Sequence, residues 1–273
     1  MEKDFAAFQG ARSVADGVTK VQGFAAAGVD WVAIHNADRF APGVLSALAA
    51  AARKAGLRLM VQASTPEETF AALSIAPDTL DYIDRTTDAG YRSDVLDRIR
   101  AAKDLIVVPT MGVAYRLTEF TRDPARLDAP SNVGLFAPAD AAFVIDNARK
   151  ELAGTGLDSV RQFAPTLANK LRQLRSLGLP VAVGSDAGSS LHFQSNAIWW
   201  EMEAWRAAGV PHREVLIAAT EHGARVLRMT DVGHLRAGAR ADFVLYRGNV
   251  EEGPLDADRV IAVGKGGVLM RAP

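Results

Sequence analysis

The chain contains no cysteine. Disulfides and thiolate metal sites are therefore excluded, and the redox compartment stays open. It also lacks an excess of either charge: 31 Lys and Arg face 32 Asp and Glu, for a formal net charge of −1. There is no field to steer nucleic acid or an anionic membrane surface. No stretch approaches the ~20 apolar residues that cross a bilayer. The segment Met1–Gly10 carries Glu2, Lys3 and Asp4 and no apolar run of signal-peptide length, so a cytoplasmic location is expected. Gly-rich strand–helix turns of the dinucleotide and P-loop kinds are missing, and no nucleotide cofactor is indicated. Ser189 and Ser190 offer hydroxyls, but no Gly-x-Ser-x-Gly elbow surrounds them.

What remains is a chain of 273 residues, 49% hydrophobic and 23% charged, an ordinary globular composition. The length suits one barrel-sized domain, or one domain with a small appendage. Five apolar segments read as short strands buried on both faces: Trp31–His35, Arg58–Gln62, Leu80–Asp84, Leu105–Pro109 and Pro180–Gly184. Helix-like segments separate them. Ser13–Ala27 opens on a Ser13/Asp16 capping pattern and stops at Gly28. Pro42–Ala55 stops at Gly56, and Thr65-Pro66-Glu67-Glu68 combines a cap, a first-position proline and first-turn acids. Further helices are expected over 139–153, 165–177, 201–208 and 214–227. This alternation predicts a parallel sheet with right-handed crossovers, in a barrel or a doubly wound layer. The stretch 118–138, with Pro124, Pro130 and Pro138, breaks the rhythm and reads as a long loop. Ala241–Tyr246, Arg259–Val263 and Gly267–Met270 read as strands of a small β appendage. The expected division is a barrel portion at 1–230 and an appendage at 231–273.

Three pieces occur in order near the C-terminus. The first is Pro180-Val181-Ala182-Val183-Gly184-Ser185-Asp186-Ala187-Gly188, and Ala218-Ala219-Thr220 follows on a helix. Then comes Gly233-His234-Leu235-Arg236-Ala237-Gly238-Ala239-Arg240-Ala241-Asp242. This set resembles the amidohydrolase superfamily, especially its imidazolonepropionase-like and prolidase-like branch. Upstream, Ala27–Val32 is similar to the family's approach to its fourth strand, and Val107–Thr110 to its seventh. The resemblance implies an α/β fold: a (β/α) barrel of amidohydrolase type with a β-sandwich built from both chain ends. It implies hydrolysis by a metal-activated water, with the barrel-end Asp taking the proton. Ligands would come from the C-terminal ends of the strands.

The resemblance also locates departures. On this match the first three barrel strands and the N-terminal sandwich strands are missing from this chain. A partner chain, a second copy in a homo-oligomer, or a longer parent sequence would supply them. The family's His-x-His is absent; the histidines are His35, His192, His212, His222 and His234. Ala33, Gln62 and Arg85 stand at positions matching the bridging lysine and the fifth- and sixth-strand histidines, and only Asp186 remains. Gln is a poor ligand and a guanidinium repels a cation. The expectation is therefore no metal and no cofactor, the alternative being a divalent ion such as zinc at Asp186.

The expected catalytic residues are Asp186, as acid or base, with His35 or His192 as proton shuttle. Each also has a plain structural reading: Asp186 as a turn cap, and the histidines as loop anchors. Gln62, Arg85, Asp84, Asn36, Thr110 and Tyr115 are the expected substrate-binding residues. Arg85 and Gln62 could hold a carboxylate or carbonyl; alternatively Arg85 and Asp84 pair with each other. Tyr115 could equally be a packing residue. The remaining histidines, and Trp199, Trp200 and Trp205, read as structural. The expected function is metal-independent acid–base chemistry on a small organic substrate, by hydrolysis, elimination or hydration. The alternatives are a non-catalytic subunit or binding protein, or one part of a two-chain barrel.

Overall fold

The computed structural model describes residues 10–134, 136–188 and 191–271. The reading of Met1–Gly10 falls largely outside them, as do Ser189 and Ser190. The chain opens with α1 (Val14–Ala26), whose N-cap Ser13 accepts a hydrogen bond from the Asp16 amide. Four parallel strands follow: β1 (Trp31–Ile34), β2 (Arg58–Gln62), β3 (Thr79–Asp81) and β4 (Ile106–Val108). They lie side by side in chain order. Helices α2 (Pro42–Lys54), α3 (Pro66–Ser74) and α4 (Ser93–Ala101) connect them. In α3, Thr65 accepts from the Glu68 amide while the Glu68 carboxylate accepts from the Ser64 amide at 2.6 Å, a reciprocal cap that fixes the helix start.

Period-2 geometry sends alternate side chains of each strand to opposite faces. Val32, Ile34, Leu59, Val61 and Leu80 are buried in the main core with the helices. The other face is not buried as the sequence suggested. Ala33 is exposed, and Met60 and Gln62 are half-buried. The sheet is thus covered on one side and open to a groove on the other. The described strands form an open parallel sheet, and their inward residues have a groove, not facing strands, beside them.

The fifth expected strand is reduced to one parallel bridge, Val107 to Val181. Its other edge is taken up by a helix. After α10 (Ala197–Ala207) and α11 (His212–Ile217), a π-helical turn at Ala218–His222 runs into α12 (Gly223–Val226). The Val183 amide donates to the Ala218 carbonyl at 3.1 Å, and His222 Nδ1 lies 2.8 Å from the Val181 carbonyl. These contacts replace a strand ladder, which is why an apolar run that reads as a strand becomes only a bridge.

The expected long loop at 118–138 is instead mostly helical. It comprises the end of α5 (Gly112–Arg122), a 3-10 turn at Pro124–Asp128 and the short α6 (Pro130–Val133); Leu135 is outside the described residues. Each proline sits at a helix start, where its missing N–H costs nothing, so the prolines begin new turns here. With α7 (Pro138–Ala153) and α8 (Asp158–Phe163) this region forms a second apolar cluster around Phe120, Leu127 and Ile145. Helix α9 (Leu167–Ser176) returns the chain to the sheet. The C-terminal strands β5 (Phe243–Tyr246), β6 (Val260–Lys265) and β7 (Val268–Arg271) form a small antiparallel sheet. Among the described residues no helix is long and apolar enough to cross a membrane.

Candidate active site

A groove of about 1220 Å³ lies between the open face of the parallel sheet and the C-terminal sheet. Gln62, Asp81, Tyr82, Thr110 and Asp186 line its polar part, while Trp199, Phe243 and Leu255 are among its apolar walls. These five polar residues lie at or just past the C-terminal ends of the parallel strands and the Val181 bridge. The backbone there is unusual. Asn36, Tyr82, Thr110 and Asp186 all have positive φ, at 51°, 73°, 53° and 51°, and each sits one to five residues past a strand or bridge. Non-glycine residues held in this region cluster where a surrounding structure aims side chains for function.

Asp186 is the centre of the polar group. Its Oδ2 accepts a hydrogen bond from the Tyr82 hydroxyl at 2.8 Å, and the Tyr82 oxygen accepts from Gln62 Nε2 at 3.2 Å. Burial, with the Asp186 carboxylate adding to it, pushes the Tyr82 phenol up to about 12. The phenol therefore stays a donor at any working pH. The Arg85 guanidinium stacks over the Tyr82 ring at 3.7 Å. Burial pulls the Arg85 pKa down, while Tyr82 and Asp186 oppose the shift.

Asp81 was missed as a site residue by sequence reasoning. It shares the groove face of β3 with Thr79, and both line the groove. Asp81 Oδ1 and Thr79 Oγ1 are buried without hydrogen-bond partners among the described residues. Burial foremost raises the Asp81 carboxyl to about 6; Thr79 pulls the other way, and the charge of Asp186 adds to the rise. A carboxyl group whose surroundings favour its proton, sharing a groove with a second carboxyl group, is a usual arrangement of an acid and a base. The available signal was a carboxylate two residues from Thr79, on the same face of a strand.

A further buried acid, Glu201, sits on the tryptophan-bearing helix that the sequence assigns to core and interface, and it is not among the groove-lining residues. It is fully buried on α10, where its Oε1 accepts from Trp205 Nε1 at 2.8 Å and its Oε2 accepts from the Gly112 amide. Burial pushes it up to about 7, against these hydrogen bonds. It ties α10 to the turn that carries Thr110.

The other expected residues are dispersed. Thr110 lines the groove, its hydroxyl donating to the Val108 carbonyl at 3.3 Å. Asp84 turns away and is buried against Lys170, with Nζ 2.9 Å from Oδ1. It also accepts from the Thr86 amide and hydroxyl at 2.7 and 2.6 Å. The alternative pairing of Asp84 with Arg85 is thus replaced by a buried lysine on α9. His192 is fully buried, its Nε2 2.6 Å from the Ser185 carbonyl. Its own carbonyl accepts from the Gly188 amide at 2.9 Å, so it braces the loop that carries Asp186. Burial, and then Arg116, pull its pKa down to about 4. His35 is half-buried and Asn36 exposed, and neither is among the groove-lining residues. Tyr115 packs on Trp200, ring centroids 6.1 Å apart.

Residues 9–267 match the amidohydrolase family. An imidazolonepropionase of Mycolicibacterium smegmatis is 40% identical over 74 residues, which is 27% of this chain and 19% of that protein. The imidazolonepropionase of Cutibacterium acnes is 28% identical over 164 residues, covering 58% of this chain and 40% of that protein. A solved Xaa-Pro dipeptidase with bound methionine superposes with a TM-score of 0.69 at 19% identity, over 95% of this chain and 59% of that one. The chain thus spans well under half the length of these curated relatives and about three-fifths of this structure.

Proposed function

The chain belongs to the amidohydrolase family, and from that premise we propose that it is a hydrolase acting on a small organic substrate in the groove. The observation that carries this reading is the Tyr82 hydroxyl held on Asp186 Oδ2 at 2.8 Å beside an Asp81 raised to about 6. In this reading Asp186 is the base that takes a proton from the attacking water. Asp81, protonated below about 6, is the acid that gives one to the leaving group. Tyr82 fixes the direction of the Asp186 lone pairs. Gln62 anchors a carbonyl or carboxylate of the substrate, while Arg85, which is not among the groove-lining residues, acts from behind by packing on the Tyr82 ring. His192 acts by positioning the Asp186 loop, and Asp81 takes the second proton-transfer role that the sequence assigned to a histidine. Elimination or hydration would use the same two carboxyl groups. The barrel portion at 1–230 supplies these groups, and the appendage at 231–273 supplies a wall.

The family's usual metal ion does not fit the residues present. Among the described residues no three or more His, Cys, Asp or Glu side chains gather to hold one. Asp186 Oδ2 is already engaged by a phenol, and the Arg85 guanidinium stacked on Tyr82 would repel a cation. The reading therefore uses this chain's own acids and bases.

The test is a panel of N-acyl amino acids, dipeptides, lactams and esters, assayed with and without a chelator. Turnover that survives chelation and disappears in Asp186→Asn is expected. Full activity in that variant, or loss on chelation, rules the reading out.

One observation favours a second reading. Ala33 is exposed on β1, and β1 has a strand on one side only among the described residues. The chain would then be one part of a two-chain barrel or of a homo-oligomer, catalytic or binding. Native mass measurement separates this from a free monomer of 29.1 kDa.

A further inference from the structure

The second apolar cluster contains a charge with no counter-charge. Arg116 on α5 is fully buried. Its Nη1 donates to Asn196 Oδ1 at 3.1 Å, and Asn196 in turn donates to Asn132 Oδ1 at 2.8 Å. Its Nε and Nη2 have no hydrogen-bond partner among the described residues. Rings of Phe193, Phe120 and Trp200 surround the guanidinium at 4.8, 5.6 and 5.8 Å. No carboxylate forms an ion pair with it among the described residues; Glu119 on the same helix pairs with Arg122 and Arg126 instead. Burying a guanidinium costs several kcal/mol unless an opposite charge and acceptors meet it. Asn196 supplies one neutral acceptor and the rings supply only their faces. The free donors point to a small acceptor that is itself charged.

We infer that the Nε and Nη2 edge of Arg116 is a binding site for a small monovalent anion, of halide or formate size. The ligand's chemistry follows from the site. Two N–H groups on one edge of a guanidinium match one halide or one carboxylate. Full burial excludes anything with a bulky tail. The site lies outside the groove but is linked to it. Phe193, whose ring faces the Arg116 guanidinium, follows His192 in the chain, His192 Nδ1 is also unpartnered among the described residues, and His192 braces Ser185 and Gly188 around Asp186. Occupancy therefore stiffens the loop that presents Asp186, independently of what the groove binds.

The test is thermal unfolding of the whole chain in sodium chloride, sodium formate and sodium gluconate at matched ionic strength. Chloride or formate is expected to raise Tm by about 5–10 °C at about a hundredfold excess over Kd, with saturation. Gluconate, too large for the site, should not. Which of the two small anions acts identifies the source, an inorganic halide or a carboxylate. Arg116→Met should abolish the difference. If that variant does not fold, the Arg116 Nε–H resonance of the unmodified protein should move on titration with the same anion. Equal Tm in all three salts with an unmoved resonance overturns the inference, as does an anion effect that persists in Arg116→Met.

Discussion

Tyr82 and Asp186 lie 104 residues apart in sequence and share a hydrogen bond of 2.8 Å, and both backbones are left-handed, at φ 73° and 51°. Neither conformation comes free, at roughly 1–3 kcal/mol each for a non-glycine residue. The two strained strand ends meet at one bond, which places the candidate base where the strands β1 to β4 deliver their side chains.

Removing that bond should affect chemistry more than stability. Tyr82→Phe keeps the ring under Arg85 and deletes only the hydroxyl. A hydrogen bond to a charged group contributes about 1.5–3 kcal/mol, so turnover should fall about 10- to 100-fold if the bond orients Asp186. Circular dichroism should show an unchanged fold. A variant with full kcat would remove Tyr82 from the mechanism.

The raised carboxyls predict a direction for pH. Asp81 is raised from 3.8 to about 6 and Glu201 from 4.5 to about 7. Folded protein therefore holds these protons after the unfolded chain has released them. Stability they contribute is present in full below about pH 4 and is lost as pH rises to about 7. For Glu201 the loss is on the order of 3 kcal/mol. Urea unfolding from pH 4 to 7.5 should show this decline against other pH effects, and Glu201→Gln should flatten its upper half. Activity that needs protonated Asp81 should fall above about pH 6, and Asp81→Asn should abolish that limb.

Lys170 and Asp84 form a fully buried ion pair. Lys170→Met leaves a carboxylate buried with only the Thr86 donors and the Tyr91 ring nearby. Breaking such a pair costs about 3–5 kcal/mol. Calorimetry should find Tm lower by roughly 6–20 °C. An unchanged Tm would mean that Asp84 is hydrated.

Gly112 is a close approach between α5 and α10. A Cβ there would sit 2.9 Å from Glu201 Oε2 and 3.0 Å from the Glu201 backbone nitrogen. Gly112→Ala should cost about 1–3 kcal/mol through overpacking. It should also disturb the Thr110 turn, detectable as a raised KM alongside a lower Tm.

Strands β1, β2 and β4 were legible because short apolar runs are local signals; the third was expected over Leu80–Asp84 but spans Thr79–Asp81, because the chain turns out of the strand at Tyr82 with φ 73°. The caps at Ser13 and Thr65 were legible for the same reason, since each is decided within four residues. Pro180–Gly184 misled because its hydrogen-bonding partner is a π turn some 35 residues later, which no local pattern reveals. The prolines at 124, 130 and 138 were read as loop punctuation when each begins a turn of helix. Of the groove-lining residues, Asp186, Gln62 and Thr110 were named from strand ends; Arg85 was named with them but lies against the Tyr82 ring, outside the groove lining. Asp84 was named by the same logic but faces the other way, into Lys170. Asp81 was passed over because burial and long-range neighbours, not its own position, make it unusual.

The parallel sheet has two unlike margins. At the Val183 margin the amide is already bonded to the Ala218 carbonyl of the π turn, so an arriving strand finds no donor there. At the β1 margin no strand is paired among the described residues. A sheet that can be extended on one side only cannot propagate. Two copies meeting through β1 would consume both free edges in a twofold, self-complementary contact and stop, whereas a filament needs a donor and an acceptor edge on every copy. Through this sheet, any association would end at a pair.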